Sequence, residues 1–208
     1  MSTQFMAMSD QDRKLAFDNA ALALHLNAVI LEKDFWVSWL LGLLFGQPEL
    51  APFLVFKGGT SLSKVFSVID RFSEDIDLCL VPEFVGADAQ GFDALTSRVK
   101  RDAAVMEMQR LCAGKAQRVV LPLLEDSISH ALGAAPAGRW LHYELDVDAK
   151  SPILYFRYPS TQTQDFDYVR REVKLELGHT NGPAAYRALR PTAAYRKCLP
   201  GTVHRLAM

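Results

Sequence analysis

The chain has 208 residues, half of them hydrophobic and 23% charged, with a formal net charge of −1. That length buries a sizeable core in one domain or in one domain plus an appendage, and the composition is that of a soluble globular protein. Cys79, Cys112 and Cys198 are odd in number and lack paired spacing, which argues against a disulfide framework and a cysteine-based zinc site.

In chain order, the start through Asp18 is mixed polar, without the charged opening and apolar block of a signal peptide. Residues 9–27 predict a helix, with Ser9 or Asp10 as its N-cap. A second helix is predicted over 32–45, where Trp36, Leu40, Leu43 and Leu44 share a face that Phe35 and Trp39 widen; these aromatics are expected in the core. The apolar run from Phe35 to Phe45 is about half of the ~20 residues that span a bilayer. A cytoplasmic protein with no membrane partner is the expectation.

Pro48 and Pro52 punctuate a loop before a buried strand at 53–57. A turn at Gly58 and Gly59 leads into a helix over 60–69, in which Leu62, Val65, Phe66 and Ile69 fall at i, i+3, i+4 and i+7. A strand at 75–81 ends at Pro82. After a glycine-containing loop over 82–91 come two predicted helices, near 92–112 and 115–132, and strand-like segments at 139–147, 152–158 and 168–178. Helices and strands mixed in this way predict an α+β or α/β domain around one sheet.

The chemistry concentrates in two strands and one turn. Side chains alternate across a strand, so Asp75 and Asp77 share a face while Ile76 and Leu78 take the other. Two adjacent carboxylates repel, and a cation relieves that repulsion. Oxygen ligands of this kind suit Mg²⁺ or Mn²⁺, the former completing its shell with water and substrate phosphates. Glycines at 58 and 59 let backbone N–H groups approach a phosphate, and a helix starting at Thr60 or Ser61 adds its N-terminal dipole. In the 168–178 segment Lys174 and Glu176 share one face and Val173, Leu175 and Leu177 the opposite, apolar one. Were that strand to lie beside the Asp strand, Glu176 would complete a carboxylate triad and Lys174 would meet a triphosphate.

These residues resemble the AbiEii/MenT-type nucleotidyltransferase-like toxins, a branch of the DNA polymerase β-like nucleotidyltransferase superfamily. The likeness rests on the Lys-Gly-Gly-Thr-Ser-Leu turn from Lys57 to Leu62, the Arg-Phe-Ser-Glu-Asp-Ile-Asp-Leu segment from Arg71 to Leu78, and the Lys-x-Glu element of Lys174 and Glu176. The Glu-Lys-Asp-Phe-Trp start of the second helix, Glu32 to Trp36, is also similar, and the likeness covers roughly 30–180. The resemblance implies an α+β fold with a nucleotidyltransferase-type mixed sheet flanked by helices. It implies metal binding by Asp75, Asp77 and Glu176, and nucleotide contacts from Gly58, Gly59, Thr60, Ser61 and Ser73, with Lys57, Arg71 and Lys174 as countercharges. A nucleoside triphosphate donor, Mg²⁺, an RNA acceptor such as tRNA, a cognate antitoxin, and a role in toxin–antitoxin or phage-defence systems follow from the same likeness.

The pattern departs from the family in one respect. Members usually run on into a helical C-terminal part with further acidic and basic residues, whereas no Asp or Glu follows Glu176 here. The expected layout is a nucleotidyltransferase domain over 1–180 and a basic extension over 181–208 carrying Arg187, Arg190, Arg196, Lys197 and Arg205. That extension reads either as an RNA- or partner-binding segment or as the start of a short or truncated helical region. Two alternatives to a nucleotidyltransferase toxin stand beside it: a nucleotide- or partner-binding module without turnover, and an antitoxin-like enzyme that modifies a partner protein. The five histidines lack metal-ligand spacing, with His179 expected on a surface or loop, and Asp146 with Asp148 reads as a solvated strand edge.

Overall fold

A single helical turn, α1 (Thr3–Met6), precedes two helices that each begin at a side-chain cap. In α2 (Asp10–Leu24) the cap is Ser9, whose hydroxyl accepts the Asp12 N–H at 3.1 Å. The helix ends where His25 turns left-handed and returns its N–H to the carbonyls of Ala21 and Leu22. The next helix, α3 (Ala28–Gly46), starts four residues earlier than the periodicity predicts, because the Asn27 side chain caps the Val29 N–H at 2.8 Å. Largely apolar beyond Asp34, α3 is buried along most of its length, including Phe35, Trp36, Trp39, Leu40 and Leu44.

The fold is a computed structural model that describes residues 3–57, 75–87, 95–163 and 170–179. The turn at Gly58 and Gly59, the helix expected over 60–69 and the extension over 181–208 lie outside the described residues.

Among the described residues five strands form one mixed sheet: β1 (Leu54–Lys57), β2 (Asp75–Leu80), β3 (Leu141–Leu145), β4 (Pro152–Phe156) and β5 (Val173–His179). Their order is β1-β2-β5-β4-β3. Only the β2–β5 pair is parallel; β1–β2, β4–β5 and β3–β4 are antiparallel. With helices alongside, this is the expected α+β class. The last of the described strands, β5, therefore sits at the centre, between one drawn from the first half of the chain and one from the second.

Between β2 and β3 run α4 (Pro82–Val85), α5 (Arg98–Lys115) and α6 (Leu121–Leu132). The two helices predicted near 92–112 and 115–132 are not separated by a loop. A π-helical turn, Ala116–Val120, joins them, and Pro122, which has no N–H to donate, follows closely on that turn. Gly114 suggests a break, yet the backbone continues through it.

One face of the sheet is apolar. Ile76, Leu78 and Leu80 of β2 and Val173, Leu175 and Leu177 of β5 are fully buried, in one cluster with Trp36, Leu40 and Leu44 of α3 and Leu124 and Ile128 of α6. Aromatic packing adds shape to this burial: Trp39 stacks on Phe156 at 5.6 Å and Trp36 on Tyr158 at 5.7 Å. A polar clamp lies at its rim. The buried Glu32 carboxylate accepts the hydroxyls of Ser160 (2.6 Å) and Thr161 (2.8 Å) and the Thr161 N–H (2.7 Å), tying α3 to the chain that follows β4. No helix among the described residues is long and apolar enough to cross a membrane.

Candidate active site

The other face of the sheet carries the charge. Register sets Lys57 opposite Asp77, and Asp77 opposite Glu176, across β1, β2 and β5. One step along, Asp75 pairs with Lys174. Paired residues on neighbouring strands point to the same side, so five charged side chains gather on one surface. The adjacency of β2 and β5, on which the triad depended, is present.

Three carboxylates face two ammonium groups here, and the local contacts reflect that imbalance. Lys174 Nζ donates to Glu176 Oε2 at 3.2 Å, and the Ser151 hydroxyl reaches Glu176 Oε1 at 3.4 Å from the β3–β4 loop. Burial, then the charges of Glu176 and Asp75, push the Asp77 carboxyl above its ordinary range, while Lys57 and Lys174 pull the other way. Burial alone would lower the Lys174 ammonium; its hydrogen bond to Glu176 and the charges of Glu176 and Asp75 outweigh that and hold it up. Asp77 is thus a carboxylate whose charge is disfavoured first by burial and then by its acidic neighbours.

Lys57 reaches past Cys79 to lie over β5. A Cβ on Gly178 would come within 2.9 Å of its Nζ, so the glycine leaves the space the ammonium uses. Burial raises both the Cys79 and the Cys112 thiol, the latter to about 12, with Lys57 opposing the shift in each. Cys112 packs on the β5 backbone at 3.3 Å from the Gly178 carbonyl. Beside Glu176 opens a cavity of about 180 Å³, lined by Lys57, Gln109, Cys112, Ser151, Glu176 and His179 among others.

The oxygen-only donor set of Asp75, Asp77 and Glu176, three carboxylates against the two ammonium groups of Lys57 and Lys174, fits a hard divalent cation. Among the described residues no three His, Cys, Asp or Glu side chains close on one metal position by themselves.

Of the residues singled out in the sequence, Lys57, Asp75, Asp77, Lys174 and Glu176 meet on one face, whereas Gly58, Gly59, Thr60, Ser61, Arg71 and Ser73 lie outside the described residues. His179 is the last residue of β5 and lines the cavity, rather than lying on a surface loop. Asp146 is no strand edge: β3 ends at Leu145, and Asp146 organises the turn, its carboxylate accepting the N–H groups of Asp148 (2.9 Å) and Ala149 (2.7 Å). That turn delivers Ser151, for which the sequence carries no signal. Cys79 and Gly178 were missed as well, although each lies two residues beyond a predicted ligand and so on its face.

This mixed sheet, with an Asp-x-Asp strand parallel to a Lys-x-Glu strand, is the arrangement that the nucleotidyltransferase resemblance implies. The family model described as nucleotidyl transferase AbiEii toxin, type IV toxin–antitoxin system, matches residues 40–197, and the chain belongs to that family. Membership implies a nucleotide substrate and a cognate antitoxin. Comparison with curated proteins and with solved structures gave no match.

Proposed function

We propose that this chain is a divalent-metal-dependent enzyme that transfers a nucleotide from a nucleoside triphosphate to a hydroxyl of an RNA acceptor, with tRNA as the RNA class, and acts as the toxin of its pair. The observation that carries the reading is the register that sets Lys57, Asp77 and Glu176 in one row and Asp75 and Lys174 in the next.

Asp75, Asp77 and Glu176 would hold Mg²⁺ or Mn²⁺. When bound, such an ion neutralises phosphate charge and aligns the triphosphate for in-line attack. The chain's own groups do the rest. Glu176 accepts the proton of the attacking hydroxyl as the new ester bond to the α-phosphorus forms and the bond to pyrophosphate breaks. Lys174, adjoining Glu176, would take up charge on the departing pyrophosphate. Lys57 supplies the second positive charge at the row's other end. Gly58, Gly59, Thr60, Ser61, Arg71 and Ser73 are proposed to contact the phosphates, in keeping with the family resemblance.

The test is incubation with Mg²⁺, each of the four α-³²P-labelled triphosphates and total bacterial RNA. Label entering RNA with the wild type and not with Asp75→Ala or Asp77→Ala is the expected result. Failure of every triphosphate to label RNA, with either Mg²⁺ or Mn²⁺, would overturn the reading.

A further inference from the structure

The row that begins at Asp75 does not stop at Lys174. Lys174 pairs with Tyr155 on β4, and Tyr155 pairs with His142 on β3, so four strands contribute to one line on the charged face. At ~4.8 Å per strand the Tyr155 backbone lies about 10 Å from that of Asp75. The two rings at the far end stack on each other, with centroids 6.4 Å apart and planes 27° from parallel. His142 is exposed and Tyr155 only half-buried. Glu144 holds the His142 ring through Nε2 at 3.2 Å, and buried Ile153 stands two residues from Tyr155 on the same face.

Charge brackets this aromatic pair. Lys174 stands on the side of the carboxylates. Beyond Tyr155, Arg157 and Arg170 both approach Glu172, at 3.8 and 3.7 Å, so two guanidinium groups share one carboxylate and leave positive charge over. Their side chains are 62% and 83% exposed, open to an incoming anion.

The geometry points to a stacking shelf for a nucleobase, formed by Tyr155 and His142, with Lys174 and the Arg157–Arg170 pair taking the flanking phosphates. An exposed aromatic face between cations matches how unpaired bases are held: the ring stacks and the backbone is neutralised on either side. An aromatic cross-strand pair serving only the sheet has no use for the surplus guanidinium charge. The shelf extends the function proposed above and rests on it for the source of the base, which belongs either to the incoming triphosphate or to the RNA end. Base stacking is common to both.

The experiment is equilibrium binding to the full chain, without turnover. Two probes are used: the four nucleoside triphosphates by calorimetry, and a fluorescein-labelled single-stranded RNA pentamer by anisotropy. Variants are Tyr155→Phe, Tyr155→Leu, Tyr155→Ala and His142→Ala, each checked by circular dichroism and thermal melting. Tyr155→Phe is expected to bind as the wild type does. Tyr155→Leu, which keeps apolar bulk but loses the ring, and Tyr155→Ala should bind one probe about 5- to 150-fold more weakly, equivalent to ~1–3 kcal/mol per stacked base. His142→Ala should weaken the same probe less. Loss confined to the triphosphates assigns the shelf to the donor base; loss confined to the pentamer assigns it to the acceptor. Folded Leu and Ala variants that bind both probes as tightly as the wild type overturn the proposal, as does a wild type that binds neither. Ring-dependent binding with no label transferred to RNA leaves the shelf standing and sinks the transferase reading instead.

Discussion

On one face of the sheet Ile76, Leu78, Leu175 and Leu177 are sealed from solvent, with α3 and α6 in the same cluster. On the other, the residues between them in sequence, Asp75, Asp77, Lys174 and Glu176, stand exposed or half-buried with one negative charge in excess over Lys57 and Lys174. The two faces share a backbone and a register, yet they are completed differently. The apolar face is finished by the chain itself, since burial needs no partner. The charged face is left electrostatically unbalanced, and a cation and a substrate are what balance it. Stability and function are thereby separated by a single peptide unit.

The largest test of that separation is Leu175→Ala. It removes a fully buried side chain and should cost about 2–5 kcal/mol in urea denaturation. Where the variant remains folded, its turnover should stay near wild type, because Lys174 and Glu176 keep their face. Asp77→Asn is the converse. Turnover should fall about 10²- to 10³-fold, comparable to losing one preorganised electrostatic group, with label incorporation as the readout.

Glu32→Gln sits between the two. It takes a charged acceptor from Ser160 and Thr161 and should cost about 1–3 kcal/mol in the same denaturation experiment. A smaller effect concerns pH. Asp77's raised pKa means that its proton favours the folded, metal-free protein: that contribution is full below about pH 4 and is lost as pH rises through the raised value. At neutral pH, metal-free Asp77→Asn should therefore melt slightly higher than wild type, by under about 1 kcal/mol after solvent screening. A lower melting temperature would show that burial and its acidic neighbours do not disfavour the Asp77 carboxylate. Least of all should happen at Cys112. With its thiol pushed up to about 12, it should resist a thiol reagent at pH 8 until the protein is unfolded.

How far the sequence discloses this arrangement follows from the range of each signal. Alternation is local, so the shared faces of Asp75 with Asp77 and of Lys174 with Glu176 are readable from spacing, as is the apolar stripe of Trp36, Leu40 and Leu44. Which strands lie side by side is not local. Nothing within β5 declares that β2 is its parallel neighbour; motif resemblance carries that expectation and the register bears it out. The Asp146 misreading has the same origin. Asp146 and Asp148 alternate as strand residues do, but the chain turns there, with Lys150 in a left-handed conformation that spacing does not reveal. Gly114 misleads in the opposite sense: a helix breaker by propensity, it is carried through by the helix on either side. Tyr155 and His142 escape notice because neither forms a motif, and only the register places them in line with the carboxylates.

The central position of β5 also sets a schedule. Asp75 and Asp77 leave the ribosome about a hundred residues before Glu176, a delay of roughly 5–20 s at ordinary rates of synthesis. Until β5 slides in beside β2, the two aspartates have β1 and Lys57 on one side and neither Glu176 nor Lys174 on the other. Ribosome-bound chains stalled short of Val173 should accordingly transfer no label. A cell making this protein meets its chemistry only once β5 has been made, which leaves an antitoxin that interval in which to be at hand.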